Sequence, residues 1–252
     1  MNDLSRFCAL LWSCVLALGL PLGTGRADAA KTSNDELKAL RAEAASPDGF
    51  QPLFKEDLSD ATFRENSWTF KDGVLSPNME VQGTEKEKSK PKSDIWTKER
   101  YGDFILDLEF KCEPKTNSGV FLRCKDIKQW LHTSIEVQIL QQDSKTTPTR
   151  QSCGAVYDCL APTKQMVRPA GEWNHTTIIA KANKICVVLN GEPVIDMDLD
   201  RWTEAHKNPD GTKNKFNTAY KDMARAGFIG LQFHGQPVQF RNLKVKPLGG
   251  EK

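Results

Sequence analysis

Along most of this chain, apolar residues recur at every second position in short segments separated by Gly, Pro, Asn and Asp. The clearest runs from 104 to 110, where Phe104, Leu106, Leu108 and Phe110 alternate with Ile105, Asp107 and Glu109. Successive side chains of an extended strand point to opposite faces, so this spacing describes a half-buried strand. Further strands are predicted at 50–54, 67–70, 74–75, 119–123, 135–140, 176–180, 185–189, 227–234 and 240–245. Lys71-Asp72-Gly73 and Asn190-Gly191 supply turns between them. Many short strands with regular turn signals predict an all-β sandwich or jelly roll. The chain's 252 residues suffice for one such domain around a single core.

The N-terminal part reads differently. Arg6 precedes an apolar run, Phe7 to Leu20, and Ala27-Asp28-Ala29 follows as a small-x-small cleavage pattern. This predicts a signal peptide over 1–29 and an exported protein, periplasmic or extracellular. The run is short for a membrane span, which needs about 20 residues, so no transmembrane segment is expected in the mature chain. Residues 30–47 read as a short helix and linker, with Leu37, Leu40 and Ala44 at helical spacing before Pro47-Asp48-Gly49. The β domain then occupies 48–248. Five cysteines remain beyond the leader: Cys112, Cys124, Cys153, Cys159 and Cys186. An odd number cannot all pair within one chain; Cys153 and Cys159 are near enough in sequence to bridge, or several are small buried apolar residues. The formal net charge of +2 lacks the basic excess of a nucleic-acid binder.

The alternation also assigns the polar side chains to faces. Glu136 and Gln138 lie opposite Ile135, Val137 and Ile139; Gln232 and His234 lie opposite Ile229, Leu231 and Phe233. In 120–123, Val120 and Leu122 are expected to face the core, with Phe121 and Arg123 outward. Planar donors and acceptors of this kind suit a polyhydroxylated ligand, a carbohydrate. A solvated face with an Arg123–Glu136 ion pair is the plainer alternative. Tyr157 can reach the same face, and Trp130, Trp173 or Trp202 can stack on a sugar ring, with Trp130 preferred. The polar connections 82–93 and 200–223 are expected to be solvated surface and a long, functionally suggestive loop respectively. Asn174-His175-Thr176 matches a glycosylation sequon. No G-x-S-x-G or H-E-x-x-H motif occurs.

The order and spacing of several segments carry a family resemblance. These are Gly49-Phe50-Gln51-Pro52-Leu53-Phe54, Tyr101-Gly102-Asp103-Phe104, Asn117 to Arg123, Glu136 to Leu140, Gly154-Ala155-Val156-Tyr157, Gly171-Glu172-Trp173-Asn174, Gly230-Leu231-Gln232 with His234, and Phe240-Arg241-Asn242. Together they resemble the 3-keto-disaccharide hydrolase family, formerly a domain of unknown function, in its long secreted form. The resemblance implies a concanavalin-like lectin/glucanase jelly roll with a concave ligand face. Family members often carry Asp where this chain has Gln141, and Asp where it has Phe233.

The resemblance also implies a chemistry: cleavage of a 3-keto-glycoside by elimination across C1–C2, then hydration. Such a route needs a base near C2, an acid near the leaving oxygen and stabilisation of the enolate; Glu136 and His234 are the candidates for the base, and Arg123 for the enolate or hydroxyl anchor. Gln138, Tyr157, Gln232 and Trp130 would hold the sugar. A divalent metal ion is a conceivable cofactor, polarising the keto oxygen. A conventional glycosidase and a non-catalytic carbohydrate-binding module are the alternatives.

Overall fold

The computed structural model describes residues 38–83 and 93–249. The predicted signal peptide and most of the 82–93 connection lie outside the described residues. Residues 38–45 are helical (α1), the described part of the predicted N-terminal helix.

From residue 51 onward the chain forms two antiparallel sheets. The larger has eight strands, in the order β11 (Glu192–Asp198), β10 (Lys184–Leu189), β9 (Trp173–Lys181), β6 (Phe104–Cys112), β13 (Val238–Pro247), β4 (Val74–Pro77) and β3 (Trp68–Lys71), with β1 (Gln51–Pro52) also pairing with β13. The smaller has five, in the order β2 (Ala61–Thr62), β5 (Ile95–Tyr101), β12 (Gly227–Leu231), β7 (Asn117–Cys124) and β8 (Ile135–Leu140). Phe104, Leu106, Leu108 and Phe110 from the first sheet and Val120, Leu122, Ile135, Val137, Ile139, Ile229 and Leu231 from the second share one buried core. This is the sandwich expected of period-two segments with one apolar face each.

Two strands have little signal in the sequence. β5 contributes Thr97 to the buried side, hydrogen-bonded to Ile229 N at 3.0 Å, and is otherwise rich in charge. β11 begins Glu192-Pro193 and contains two aspartates. It ends the sheet order, where a strand without a ladder donor is tolerated. The predicted strand at 50–54 shrinks to two residues, and Leu53 and Phe54 turn into the core instead.

No disulfide joins the five described cysteines, all of which are buried. Cys112 and Cys124 sit on consecutive strands that belong to opposite sheets. Burial pushes the Cys153 and Cys159 thiols up to about 12, so both are small packed groups and not reactive thiolates. The sequon asparagine is likewise committed: Asn174 is fully buried, and its Oδ1 accepts from Arg168 N and Asn190 Nδ2, both at 2.8 Å.

Candidate functional site

On the outer face of the five-stranded sheet, cross-strand register arranges the side chains in two rows. Gly230 on β12 pairs with Trp96 on β5 and with Phe121 on β7, and Phe121 pairs with Glu136 on β8. The first row therefore reads Trp96, Gly230, Phe121, Glu136. In the second, Gln232 N donates to Gly119 O at 2.9 Å, and Gly119 pairs with Gln138. Asp94, one residue before β5, completes that row by accepting from Phe233 N at 2.9 Å.

Two glycines make the rows possible by their lack of bulk. A Cβ on Gly230 would come within 2.4 Å of the Trp96 ring. Its absence lets Trp96 lie flat and stack on Phe121, with ring centroids 5.1 Å apart and planes 10° apart. Phe121 in turn meets Trp130, 4.6 Å away, on the short helix α2 (Trp130–Thr133). A Cβ on Gly119 would lie 2.6 Å from Glu136 Oε1. The Glu136 carboxylate thus leans across β7 over the gap that Gly119 leaves.

One half of the face is consequently an aromatic wall. The other half is a polar cavity of about 320 Å³, the size of a small-ligand site. Its lining includes Trp130, Glu136, Gln138, Tyr157, Gln232 and His234, six of the seven residues singled out from sequence, together with Asp94, Asn117, Lys215 and Phe233. Burial raises the Glu136 carboxyl to about 7; Lys215 pulls it down and the charge of Asp94 adds to the rise. Burial also raises Asp94 to about 7, against the pull of its bond from Phe233 N. Gln138 touches Asn117 at 3.1 Å, and with its amide turned it donates to Glu136 Oε1 at 3.3 Å. Gln232 is 7% exposed and its Oε1 has no hydrogen-bond partner. His234 is exposed at the rim.

Tyr157 and Lys215 arrive on loops. The segment after β8 folds back so that Val156 bridges to Val137 and Tyr157 N donates to Glu136 O at 2.9 Å. Burial raises the Tyr157 phenol, with Glu136 and Asp158 adding to the effect. The long 200–223 connection is built around a buried amide cluster, in which Asn208 Oδ1 accepts from Trp202 Nε1 at 2.9 Å and from Asn214 Nδ2 at 3.0 Å. Lys215 N donates to Asp158 Oδ2 at 2.9 Å, and Lys215 Nζ stands 4.1 Å from the Tyr157 ring centroid. Trp202 is thereby a core residue.

Arg123 is a correction. It neither faces the cavity nor pairs with Glu136. Its side chain is 1% exposed and donates to Gly102 O (2.7 Å), Ala182 O (2.7 Å) and Asp103 Oδ1 (2.8 Å), tying together the β5–β6 and β9–β10 turns. The physical reason is a β-bulge. Cys124 pairs with Phe228 and Phe121 with Gly230, so three steps on β7 oppose two on β12. Arg123 takes φ 50° there, and the extra residue reverses the in–out order, placing Cys124 beside Phe121 in the aromatic cluster. Phe121 was expected to face outward, and it does, but beneath Trp96 and Trp130 it is fully buried.

Among the described residues, no group of three or more His, Cys, Asp and Glu side chains is gathered as a metal site would require. Asp94 and Glu136 are the carboxyls that line the cavity, and no step is routed through a metal ion.

Two stacked antiparallel sheets, with a carboxyl- and amide-lined cavity on the outside of the smaller, define a β-sandwich with a candidate ligand cavity on one sheet face. The chain belongs to the 3-keto-α-glucoside-1,2-lyase-like domain family, whose model matches residues 49–246. It is 26% identical over 208 residues to a 3-keto-disaccharide hydrolase of Bacteroides thetaiotaomicron, covering 73% of this chain and 71% of that one. A crystal structure from Parabacteroides distasonis, described as a candidate glycosyl hydrolase, is 35% identical with a TM-score of 0.70, covering 79% of this chain and 99% of that one. A second such structure from the same organism is 26% identical with a TM-score of 0.58, covering 81% and 85% respectively.

Proposed function

We propose that this protein cleaves the glycosidic bond of 3-keto-glycosides by elimination, with Glu136 as the base that removes the C2 proton. Family membership and the Bacteroides relative's name support a 3-keto-disaccharide hydrolase. The observation that carries the assignment is the Glu136 carboxyl itself. It is 5% exposed, faces the cavity and sits at about 7, where a base works well near neutral pH.

A keto group at C3 acidifies the C2 proton, and the glycosidic oxygen on C1 lies β to that carbonyl. Removal of the C2 proton therefore permits loss of the C1 substituent, and water added to the product completes a net hydrolysis. Negative charge develops on the keto oxygen as the proton leaves. Lys215 takes the role expected of Arg123, because it lines the cavity and lowers Glu136 through its charge. Gln138 and Gln232 offer amides to sugar hydroxyls, and Tyr157 and Trp130 close the sides. His234 binds substrate at the rim and is a weaker candidate for the base than the buried Glu136. The leader pattern at 1–29 supports export as part of the same proposal, and a mature N-terminus near residue 30 on the protein from its natural host is the expected outcome.

A second reading has one observation in its favour. Two carboxyls, Asp94 and Glu136, line one cavity, as a conventional glycosidase requires. The deciding experiment is product release from 3-keto-disaccharides and from their unoxidised parents. Cleavage confined to the keto forms supports elimination. Equal cleavage of the parents assigns the pair to direct hydrolysis. Binding without product release from either makes the protein a carbohydrate-binding module.

A further inference from the structure

The elimination reading leaves one proton unassigned. A sugar alkoxide is a poor leaving group, so the oxygen departing from C1 needs an acid beside it. Asp94 is placed for that work. It lines the cavity that Glu136 faces, and it comes from the opposite edge region of the sheet, before β5, whereas Glu136 comes from β8. A substrate lying over Gln232 and Gly119 would thus sit between Asp94 on one side and the Glu136 carboxylate that leans over Gly119 on the other.

The backbone beneath Asp94 is fixed. Ser93 O accepts from Trp68 Nε1 at 2.7 Å, and Ser93 N donates to Gln82 Oε1 at 2.6 Å. Gln82 is fully buried and donates its Nε2 to Ser67 O at 2.8 Å. The Asp94 carboxyl receives one hydrogen bond, from Phe233 N to Oδ1. One carboxyl oxygen is therefore held by the backbone of the segment that carries Gln232 and His234, which leaves the other for substrate. Such anchoring keeps an acid in one geometry through a reaction.

We propose that Asp94 is the second proton carrier of this site and that it exchanges roles with Glu136 between elimination and hydration. In the first half, the Glu136 carboxylate takes the C2 proton. The freed electron pair forms the C1=C2 bond as the C1–O bond breaks, and the departing oxygen takes the proton of Asp94. In the second half, the Asp94 carboxylate takes a proton from water while the water oxygen bonds to C1. The C1=C2 pair then closes on C2 with the proton held by Glu136. The sum is one water consumed and one glycosidic bond cleaved, with both carboxyls back in their starting states and no other reactant. The raised positions of both groups agree with this, since one protonated and one ionised carboxyl coexist near neutral pH. This assignment rests on the elimination reading.

The test compares leaving groups. Asp94→Asn keeps the acceptor for Phe233 N, so the fold is expected to survive. With 3-keto-trehalose, whose leaving group is a sugar alcohol, Asp94→Asn should lose about 10²–10⁴ of kcat. With p-nitrophenyl 3-keto-α-glucoside, whose leaving group departs without a proton, nitrophenol release should fall by less than about tenfold, whereas Glu136→Gln should lose the full factor on both substrates. Equal losses on the two substrates would overturn the acid role and leave Asp94 a positioning residue. Unimpaired cleavage of 3-keto-trehalose by Asp94→Asn would also overturn it, while the elimination reading stood. If the wild-type protein cleaves neither keto substrate, the reading and the assignment fall together.

Discussion

The two sheets each carry acids, a histidine and cations on their outer faces, yet the chemistry of the faces is opposite. On the eight-stranded sheet, Asp107 Oδ2 accepts from His175 Nε2 at 2.8 Å and from Thr177 Oγ1 at 2.7 Å, while Lys244 Nζ stands 3.3 Å from Oδ1. Glu109 pairs with Arg241, whose guanidinium lies 4.1 Å from the Trp173 ring centroid. Burial alone would push Asp107 up, but His175, Thr177 and Lys244 together hold it below the usual carboxylate range. On the five-stranded sheet, Asp94 has one backbone donor and Glu136 at best one amide, and both rise to about 7. The residue types are nearly the same. Pairing, not identity, separates a structural polar face from one with groups left for a ligand.

Neutralising one acid on each face separates the two sheets most clearly. Glu136→Gln should lower kcat on a 3-keto-disaccharide by about 10²–10⁴, while Asp107→Asn should leave turnover at the wild-type value. Steady-state kinetics on the two purified variants decides it, and equal losses would erase the distinction. Next in size is Gly119→Ala. Its new methyl would meet a flexible carboxylate end, 2.6 Å away, so the fold should hold while Glu136 is displaced. A drop in kcat of about 10–100-fold with unchanged melting temperature is expected, because small misplacements of a reacting group are costly.

Arg123 gives the stability counterpart. Arg123→Met removes three hydrogen bonds from a buried cation and should cost about 2–4 kcal/mol in urea unfolding, with KM unchanged. The smallest predicted effect is in the pH dependence of stability. Glu136 and Asp94 are raised in the folded state from 4.5 and 3.8 to about 7, so the folded protein holds their protons more tightly than the unfolded chain. Their favourable contribution is fully present below about pH 4 and is lost as pH rises through about 7. Asp107 has the opposite sign: its contribution is present above pH 3.8 and is lost as pH falls through its lowered value. Glu136→Gln should therefore stabilise the fold at pH 8, by on the order of 2 kcal/mol, and much less at pH 4. Asp107→Asn should destabilise it at pH 8. Urea titrations at the two pH values measure both.

Much of the site was legible because strand alternation fixes faces. Glu136, Gln138 and Gln232 follow directly from the apolar residues between them. Arg123 failed where alternation fails, at a bulge whose extra residue shows only in the pairing with β12. Asp94 was missed because β5 hides its pattern: a threonine occupies a buried position, and the aromatic residue, Trp96, faces outward over a glycine on another strand. Lys215 was missed because its place depends on Asp158 and on the amide cluster around Asn208, contacts between segments far apart in sequence. The 200–223 connection was flagged by its length alone. The departure at Phe233 also acquires a structural setting, since its backbone N–H holds the Asp94 carboxyl at the cavity.

In the proposed reaction Glu136 removes the C2 proton of a 3-keto sugar. This step is tested most directly with 1,5-anhydro-3-ketoglucitol, which has no leaving group at C1 and so isolates proton abstraction from bond cleavage. Incubated in deuterium oxide and followed by proton NMR, the wild-type protein should exchange the C2 hydrogen faster than an enzyme-free control and leave C4 at the control rate. Glu136→Gln should not accelerate exchange at all. Exchange by Glu136→Gln at the wild-type rate, or cleavage of 3-keto-disaccharides by a wild-type protein that never exchanges C2, would contradict the account.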